Sequence, residues 1–243
     1  MGLETFNTGG NIMKRLAAPI IALSLFIPTQ RADALFGVGL KYVGDSFSVG
    51  EWIEDPSTAY TLSGSGFDGA GLGGLFVYID AIPFIDLEAS FEMSGAPYDL
   101  EFQNSVTSLP ATKFAWTRLS TYYTARKEVF GLGLPILGGG AIHVGGGINS
   151  HQTSKLADLD MMSGIIGDLT TGGEGMKLES QVEDFVKNKD NWIEGSGVHL
   201  QAGLQMQILT FNAFVNYRIT MAEDVVPDAK SFSSIWAGLA FGL

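Results

Sequence analysis

Hydrophobic and polar residues alternate with a period of two along much of the chain, and the alternation is clearest near residue 200. The apolar series there is Val198, Leu200, Ala202, Leu204, Met206 and Ile208, and the intervening residues are polar or glycine. A period of two places the two series on opposite faces of a β-strand. Residues 211–220 repeat the pattern after Leu209 and Thr210 alone, which predicts a tight hairpin.

The same alternation predicts eight strands in the chain. They cover residues 35–44, 70–80, 85–93, 114–127, 139–150, 195–208, 211–220 and 231–243. Long and short connections alternate between them, as in an antiparallel up-and-down barrel whose strands of about ten residues cross a membrane. The predicted fold class is therefore an all-β transmembrane barrel of about eight strands, or ten if segments 45–69 and 151–194 contain more.

Residues 35–243 resemble, in this architecture, the small eight-stranded outer-membrane β-barrel proteins of bacteria. The last strand, residues 235–243, resembles the closing strand that the family's barrel-assembly machinery recognises. It departs from that pattern because Leu243 is last and the aromatic Phe241 lies two residues earlier. The resemblance implies that outer-membrane lipid and lipopolysaccharide surround the protein, that the assembly machinery inserts it, and that it needs no cofactor.

The first 34 residues have the order of a signal peptide. Lys14 and Arg15 precede the apolar run 16–27, and the small-residue sequence Ala32-Asp33-Ala34 follows. This order predicts export and cleavage after Ala34, with Met13 as the start and residues 1–12 as an upstream extension. The alternative, a membrane-anchoring helix, is less favoured because the run is shorter than the roughly 18 residues that such a helix needs.

The charge distribution separates the predicted strands from their long connections. The whole chain carries a net charge of −12, of which residues 1–34 contribute +1, so residues 35–243 carry −13. The predicted strands and the connection 128–138 together are neutral, and the acidic excess lies in segments 45–69, 94–113, 151–194 and 221–230. Acidic loops repel nucleic-acid phosphates and favour divalent cations or basic partners, or serve only as solvated loops.

Several charged residues share the polar face of their strands and are expected inside the barrel. They are Lys41, Asp86, Glu88, Glu92, Arg118, Arg126 and Arg218. We predict a network of opposite charges that fills the lumen, with Glu88 opposite Arg118 across the 94–113 connection. Buried charges need such partners. A conducting pore and a catalytic site are the alternatives for the same residues.

The remaining candidates are three histidines and the long segment 151–194. His143 and His199 are expected to face inward, and His151 is expected at a strand end. No nucleophile motif or metal-ligand spacing accompanies them. The long segment shows helical spacing of apolar residues around residues 156–169 and 176–186, which predicts two short amphipathic helices that cap the barrel or contact a partner.

Four functions fit these patterns. The first is a non-enzymatic outer-membrane anchor or surface interaction protein with acidic loops. The second is a narrow channel or carrier for a small or hydrophobic solute, and the third is an outer-membrane lipid-modifying enzyme. The fourth is a soluble barrel of lipocalin type, in which the apolar face would turn inward. The polar second face and the closing strand favour insertion in a membrane.

Overall fold

Eight antiparallel strands form one closed ring. The computed structural model describes residues 36–57, 59–80, 82, 84–106, 108–134, 138–170 and 191–242. The ring strands, in chain order, are β1 (Phe36–Val49), β4 (Phe67–Ile79), β5 (Asp86–Asn104), β6 (Ser108–Leu134), β7 (Gly138–Ser154), β8 (Trp192–Ile208), β9 (Phe211–Val226) and β10 (Ala229–Gly242). Each ring strand pairs with the next in chain order, and β1 pairs with β10 to close the ring. The prediction of an eight-stranded antiparallel barrel is confirmed.

The outer face of the ring is apolar along the part of the barrel in which all eight strands pair with both neighbours. Its exposed side chains include Val38, Leu40, Leu75, Val77, Phe91, Ile148, Val198, Leu200, Leu204, Val215, Tyr217, Ile235 and Leu239. The alternating residues point inward and are largely polar in β8 and β9. Such a belt costs free energy in water and gains it in lipid. This orientation confirms the transmembrane barrel and excludes the lipocalin arrangement.

The two ends of the barrel differ in their connections. Residues 36 and 242 and the connections 80–85, 135–137 and 209–210 lie at one end. The longer connections 50–66 and 155–191 lie at the other end. We call it the extracellular end, because the long loops of outer-membrane barrels face outward. The connection 50–66 contains the two strands β2 (Trp52–Ser57) and β3 (Tyr60–Gly64), which form a hairpin outside the ring. β3 pairs with the upper part of β5.

Two connections predicted to be long are instead continuations of the strands. β5 reaches Asn104 and β6 begins at Ser108, while β9 and β10 meet at a turn of two residues. The alternation continues there with its polarity reversed: Leu100 and Phe102 face inward and are buried, whereas Glu101 is exposed. The reversal is expected above the membrane, where the outside of the sheet faces water. Strand limits predicted from an apolar outer face therefore end too early in β5, β6, β9 and β10.

A short helix covers the extracellular end of the barrel. Helix α1 (Leu159–Ile166) begins at Asp158, whose carboxylate accepts a hydrogen bond from the Met161 amide. Its buried residues Met161, Met162 and Ile166 pack into an apolar cluster with side chains of β3, β5, β6 and β9. The helix predicted around 156–169 is thus present, and the one predicted around 176–186 lies outside the described residues. None of the described helical segments has the length and apolarity to cross a membrane.

Glycine in β1 makes room for the aromatic residues that fill the lower lumen. A Cβ atom on Gly39 would lie 2.5 Å from the Leu239 carbonyl oxygen and 2.6 Å from the Phe76 ring. Phe76 is 1% exposed and packs against Phe214 and Trp236 at centroid distances of 5.2 and 5.5 Å. The Phe76 ring can therefore occupy this position only because residue 39 has no side chain.

We expect Gly39→Ala to destabilise the barrel by about 1–3 kcal/mol, because a methyl group in a filled lumen must displace backbone or ring atoms. Gly44→Ala on the same strand is the control, since its nearest atoms lie 3.9 Å or more from the added Cβ. Urea unfolding in lipid vesicles measures both. Equal losses of stability would contradict the packing argument.

We expect Leu204→Arg to cost about 2–4 kcal/mol of barrel stability, because it places a charge in the lipid belt near mid-bilayer. Leu204 is 55% exposed on the outer face, and its neighbour Gln205 faces the lumen. Gln205→Arg should therefore cost less in the same refolding titration. The orientation of β8 is wrong if the two variants refold equally well.

Candidate functional site in the barrel interior

The middle of the lumen contains a buried carboxylate between two cations. We call Lys41, Glu92 and Arg218 the middle cluster. The Arg218 guanidinium donates two hydrogen bonds to the Glu92 carboxylate, at 2.7 and 2.6 Å, and the Lys41 ammonium lies 2.5 Å from the same carboxylate. The three side chains are at most 1% exposed. A bidentate pair of this kind fixes distance and direction, so it holds β1, β5 and β9 together across the lumen.

Aromatic faces complete the environment of the two cations. The Arg218 guanidinium lies 3.6 Å from the centre of the Tyr122 ring. The Lys41 ammonium lies 4.5 Å from the centre of the Trp236 ring. Aromatic faces attract cations electrostatically, and the attraction grows when water is excluded. The middle cluster is thus stabilised without solvent.

A second ion pair lies closer to the extracellular end and forms the upper cluster, Asp45, Arg118 and Ser234. The Arg118 guanidinium donates to the Asp45 carboxylate at 2.6 Å, and the Ser234 hydroxyl donates to the other carboxylate oxygen at 2.7 Å. Both charged side chains are fully buried. The Phe232 ring covers Arg118, with a distance of 4.2 Å from the guanidinium carbon to the ring centre.

The lower cluster, Asp80, Asp86, Glu88, Arg126 and His143, lies toward the short-turn end. Arg126 donates to Asp80 at 2.9 Å and lies 3.7 Å from the Glu88 carboxylate. His143 Nε2 lies 3.4 Å from the Asp86 carboxylate. Neither Glu88 oxygen has a hydrogen-bond partner within the described part of the chain. Buried carboxylate oxygens of this kind are ordinarily hydrated, so water is expected beside Glu88.

The structure places the seven charged residues singled out in the sequence inside the ring. Six of them, Lys41, Glu88, Glu92, Arg118, Arg126 and Arg218, are at most 5% exposed, and Asp86 is partly buried. They belong to the three clusters described above.

The proposed pair of Glu88 and Arg118 is wrong. Glu88 lies opposite Thr124, and Arg118 lies opposite Ser94. The prediction centred the β5–β6 turn near residue 103, whereas the strands meet at 105–107. An error of three residues in the centre of an antiparallel turn moves every partner by six, which accounts for the difference.

Sequence reasoning missed two acidic partners, Asp45 and Asp80. Asp45 falls in the predicted connection 45–69, although β1 continues to Val49. It has the same parity as Lys41, so extending the alternation by a few residues would have placed it inside the barrel. Asp80 ends the predicted strand 70–80 and has the same parity as Phe76 and Tyr78, which are buried in the lumen, so the alternation would have placed it inside the barrel as well.

All three histidines face the lumen. His151 lies within β7 rather than at a strand end. Its Nδ1 is 2.8 Å from the Ser120 hydroxyl and its Nε2 is 2.9 Å from the Asn149 side-chain oxygen. Serine, histidine and asparagine are residue types found in hydrolase active sites. Here His151 and Ser120 are at most 2% exposed, and Arg118 Nε donates to the Ser120 hydroxyl at 3.0 Å, so they form part of the lumen's hydrogen-bonding network.

Comparisons with known proteins give structural likenesses at low sequence identity. No family model and no curated protein matches the chain. Ail, the attachment invasion locus protein of Yersinia pestis, in complex with the heparin analogue sucrose octasulfate, is 8% identical over 87% of this chain and 99% of its own, with a TM-score of 0.43. The N-terminal β-barrel domain of Pseudomonas aeruginosa OprF is 11% identical over 86% and 99%, with a TM-score of 0.38. The outer membrane protein OprG from Pseudomonas aeruginosa is 10% identical over 87% and 94%, also at 0.38.

The decisive features belong to the chain itself: a closed ring of eight antiparallel strands, an apolar outer belt and a polar lumen. Lipid-spanning sheets must close in this way, because an open edge would leave backbone groups unpaired in hydrocarbon. The chain has the fold of a small eight-stranded transmembrane β-barrel. Three ion-paired clusters lie inside this barrel.

We expect Glu92→Gln to cost about 3–5 kcal/mol, because it leaves Lys41 and Arg218 buried without a counter-charge. Glu101→Gln, on the exposed face of β5, makes the same chemical change in water and should cost little. Unfolding in urea, followed by heat-modifiable migration in gels, compares them. A loss below about 1 kcal/mol for Glu92→Gln would show that the middle cluster is hydrated and weak.

Proposed function

We propose that this protein is a non-enzymatic anchor in the outer membrane that presents an acidic surface to extracellular partners. The observation that carries the proposal is the presence of three successive ion-paired clusters in the lumen. We further propose export through a signal peptide cleaved after Ala34, insertion by the barrel-assembly machinery, and contact with outer-membrane lipid and lipopolysaccharide.

The side chains inside the ring support a closed lumen. An eight-stranded barrel leaves an interior just wide enough for side chains or one small ligand. Trp116, Trp236, Tyr122 and Phe214 are at most 2% exposed there, and they lie beside the three charged clusters. Ions would have to displace paired charges to pass, which costs several kcal/mol for each uncompensated ion.

The extracellular end supports the interaction role. The described acidic residues there are Glu51, Glu54, Asp55, Asp68, Asp99, Glu101, Asp158, Asp160, Asp168, Glu194, Glu223, Asp224 and Asp228, against Lys113, Lys155 and Lys230. A surface of one sign attracts oppositely charged partners and accelerates their association. A basic protein or peptide is therefore the proposed class of partner.

Divalent cations are the other partner expected from the acidic loops. Within the described ranges, the His, Asp and Glu side chains form no group of three or more that could hold a metal ion. Cations would then bind only diffusely at this surface, and we give preference to basic partners.

A narrow channel or carrier is the second candidate, and one observation favours it. Several buried polar atoms in the lumen have no hydrogen-bond partner among the described residues, including both Glu88 oxygens, Arg126 Nε and His199 Nδ1. Such atoms are ordinarily satisfied by ordered water. A row of waters past the clusters would be the minimum that a narrow channel requires.

We expect residues 35–243, reconstituted in planar bilayers, to give no steady current steps, because the middle cluster occupies the lumen. The triple variant Lys41→Ser, Glu92→Ser and Arg218→Ser removes all three large side chains of the middle cluster, so that none of its charges is left unpaired. It should give small steps and show that the assay detects an opened lumen. Large ohmic steps from the intact protein would contradict the anchor function and favour the channel.

A further inference from the structure

We propose that a cavity at the extracellular end binds an organic cation attached to an apolar body, as a short basic peptide with an aromatic side chain presents it. The cavity lies between the β7–α1 connection, the start of β8 and the β9–β10 tip, and its volume is about 750 Å³. This volume falls within the range of about 300–1,000 Å³ found for small-molecule sites. The proposal rests on the proposed function, because it places this end outside the cell, and it adds the site and the ligand chemistry.

The apolar part of the cavity wall comes from three strands and a strand hairpin. Trp52 of the β2–β3 hairpin, Ile193 of β8 and Val225 and Val226 of β9 line it. Trp116 forms the floor and is fully buried, and its indole nitrogen has no hydrogen-bond partner among the described residues. Indole rings are the side chains that attract organic cations most strongly, and an acceptor atom near the Trp116 nitrogen would remove the cost of an unpaired donor.

The charges around the cavity are mainly negative. Glu54 and Asp158 also line it, but both are engaged by α1: Glu54 accepts from the Leu159 amide at 3.2 Å, and Asp158 accepts from the Met161 amide at 2.7 Å. The β9–β10 tip adds the carboxylates of Glu223, Asp224 and Asp228.

Two lysines, Lys155 and Lys230, oppose these five carboxylates. The Lys230 ammonium lies 3.5 Å from Glu223, and both side chains are largely exposed. Asp224 and Asp228 therefore give the tip its excess negative charge. A cation whose apolar body lies against Trp52 and Ile193 would satisfy both the charge and the apolar wall, whereas an anion would be repelled.

The test measures binding of N-acetyl-Phe-Arg-amide to the full mature protein in zwitterionic detergent micelles by isothermal titration calorimetry. This peptide combines an aromatic ring, a guanidinium group and carbonyl acceptors. N-acetyl-Phe-Gln-amide is the neutral control. We expect the arginine peptide to bind at least about tenfold more tightly, which corresponds to about 1.4 kcal/mol.

The double variant Asp224→Asn and Asp228→Asn should weaken binding of the arginine peptide about tenfold. The matched control, Asp99→Asn with Glu101→Gln, removes the same charge from β5 outside the cavity wall and should leave binding unchanged. Trp116→Phe retains an aromatic floor without the N–H group and should weaken binding severalfold. Heat-modifiable migration establishes that each variant is folded.

Three results would overturn the inference. Equal affinity for the two peptides would indicate apolar adsorption, and equal weakening by the two double variants would indicate diffuse attraction to an acidic surface. Binding that appears only after residues 172–189 are replaced by a short Gly/Ser linker would assign the cavity to the protein's own chain. Each result is independent of conductance. The cavity can therefore prove not to bind the peptide while the lumen proves non-conducting, and a conducting lumen would not by itself exclude binding in the cavity.

Discussion

Closing eight strands into one ring is the constraint on which the rest of the structure depends. Closure pairs every backbone group that lies in lipid, and it leaves a lumen only wide enough for side chains. A charged residue on an inward face therefore cannot reach bulk water and needs a partner of opposite charge across the lumen. Glu92 of β5 finds two such partners, Lys41 of β1 and Arg218 of β9, on strands that are not its neighbours.

Interior pairs between distant strands specify the register of the whole barrel. A shift of one residue in any strand would turn its inward charges toward lipid. Arg118 of β6 could then no longer reach Asp45 of β1, and both would remain buried without a partner. Replacing such pairs with apolar residues is often neutral for stability, so we infer that their main contribution here is to exclude other registers.

Sequence alone predicted the eight strands and their faces, because β8 and β9 alternate cleanly between apolar and polar residues. It failed on strand lengths, since the outer face of β5 becomes polar at Asp99 and Glu101 while Leu100 remains buried. Pairings across the lumen depend on turn centres, which alternation does not locate, and this explains the wrong partner for Glu88. The cavity could not be predicted from the sequence, because its walls come from segments far apart in the chain.

The reversal of polarity along β5 also separates the protein into two parts with different roles. Below it, the apolar side chains face lipid, and the interior polar groups largely form hydrogen bonds and ion pairs with one another. Above it, the strands enclose an apolar cluster closed by α1, and their outer side is acidic and meets water. Under the proposed function, a partner that arrives from outside would contact only the upper part. Substitutions on the acidic outer side of the upper part would then change the proposed binding surface without breaking a buried ion pair, so the proposed recognition could vary while the lipid-embedded ring stays the same.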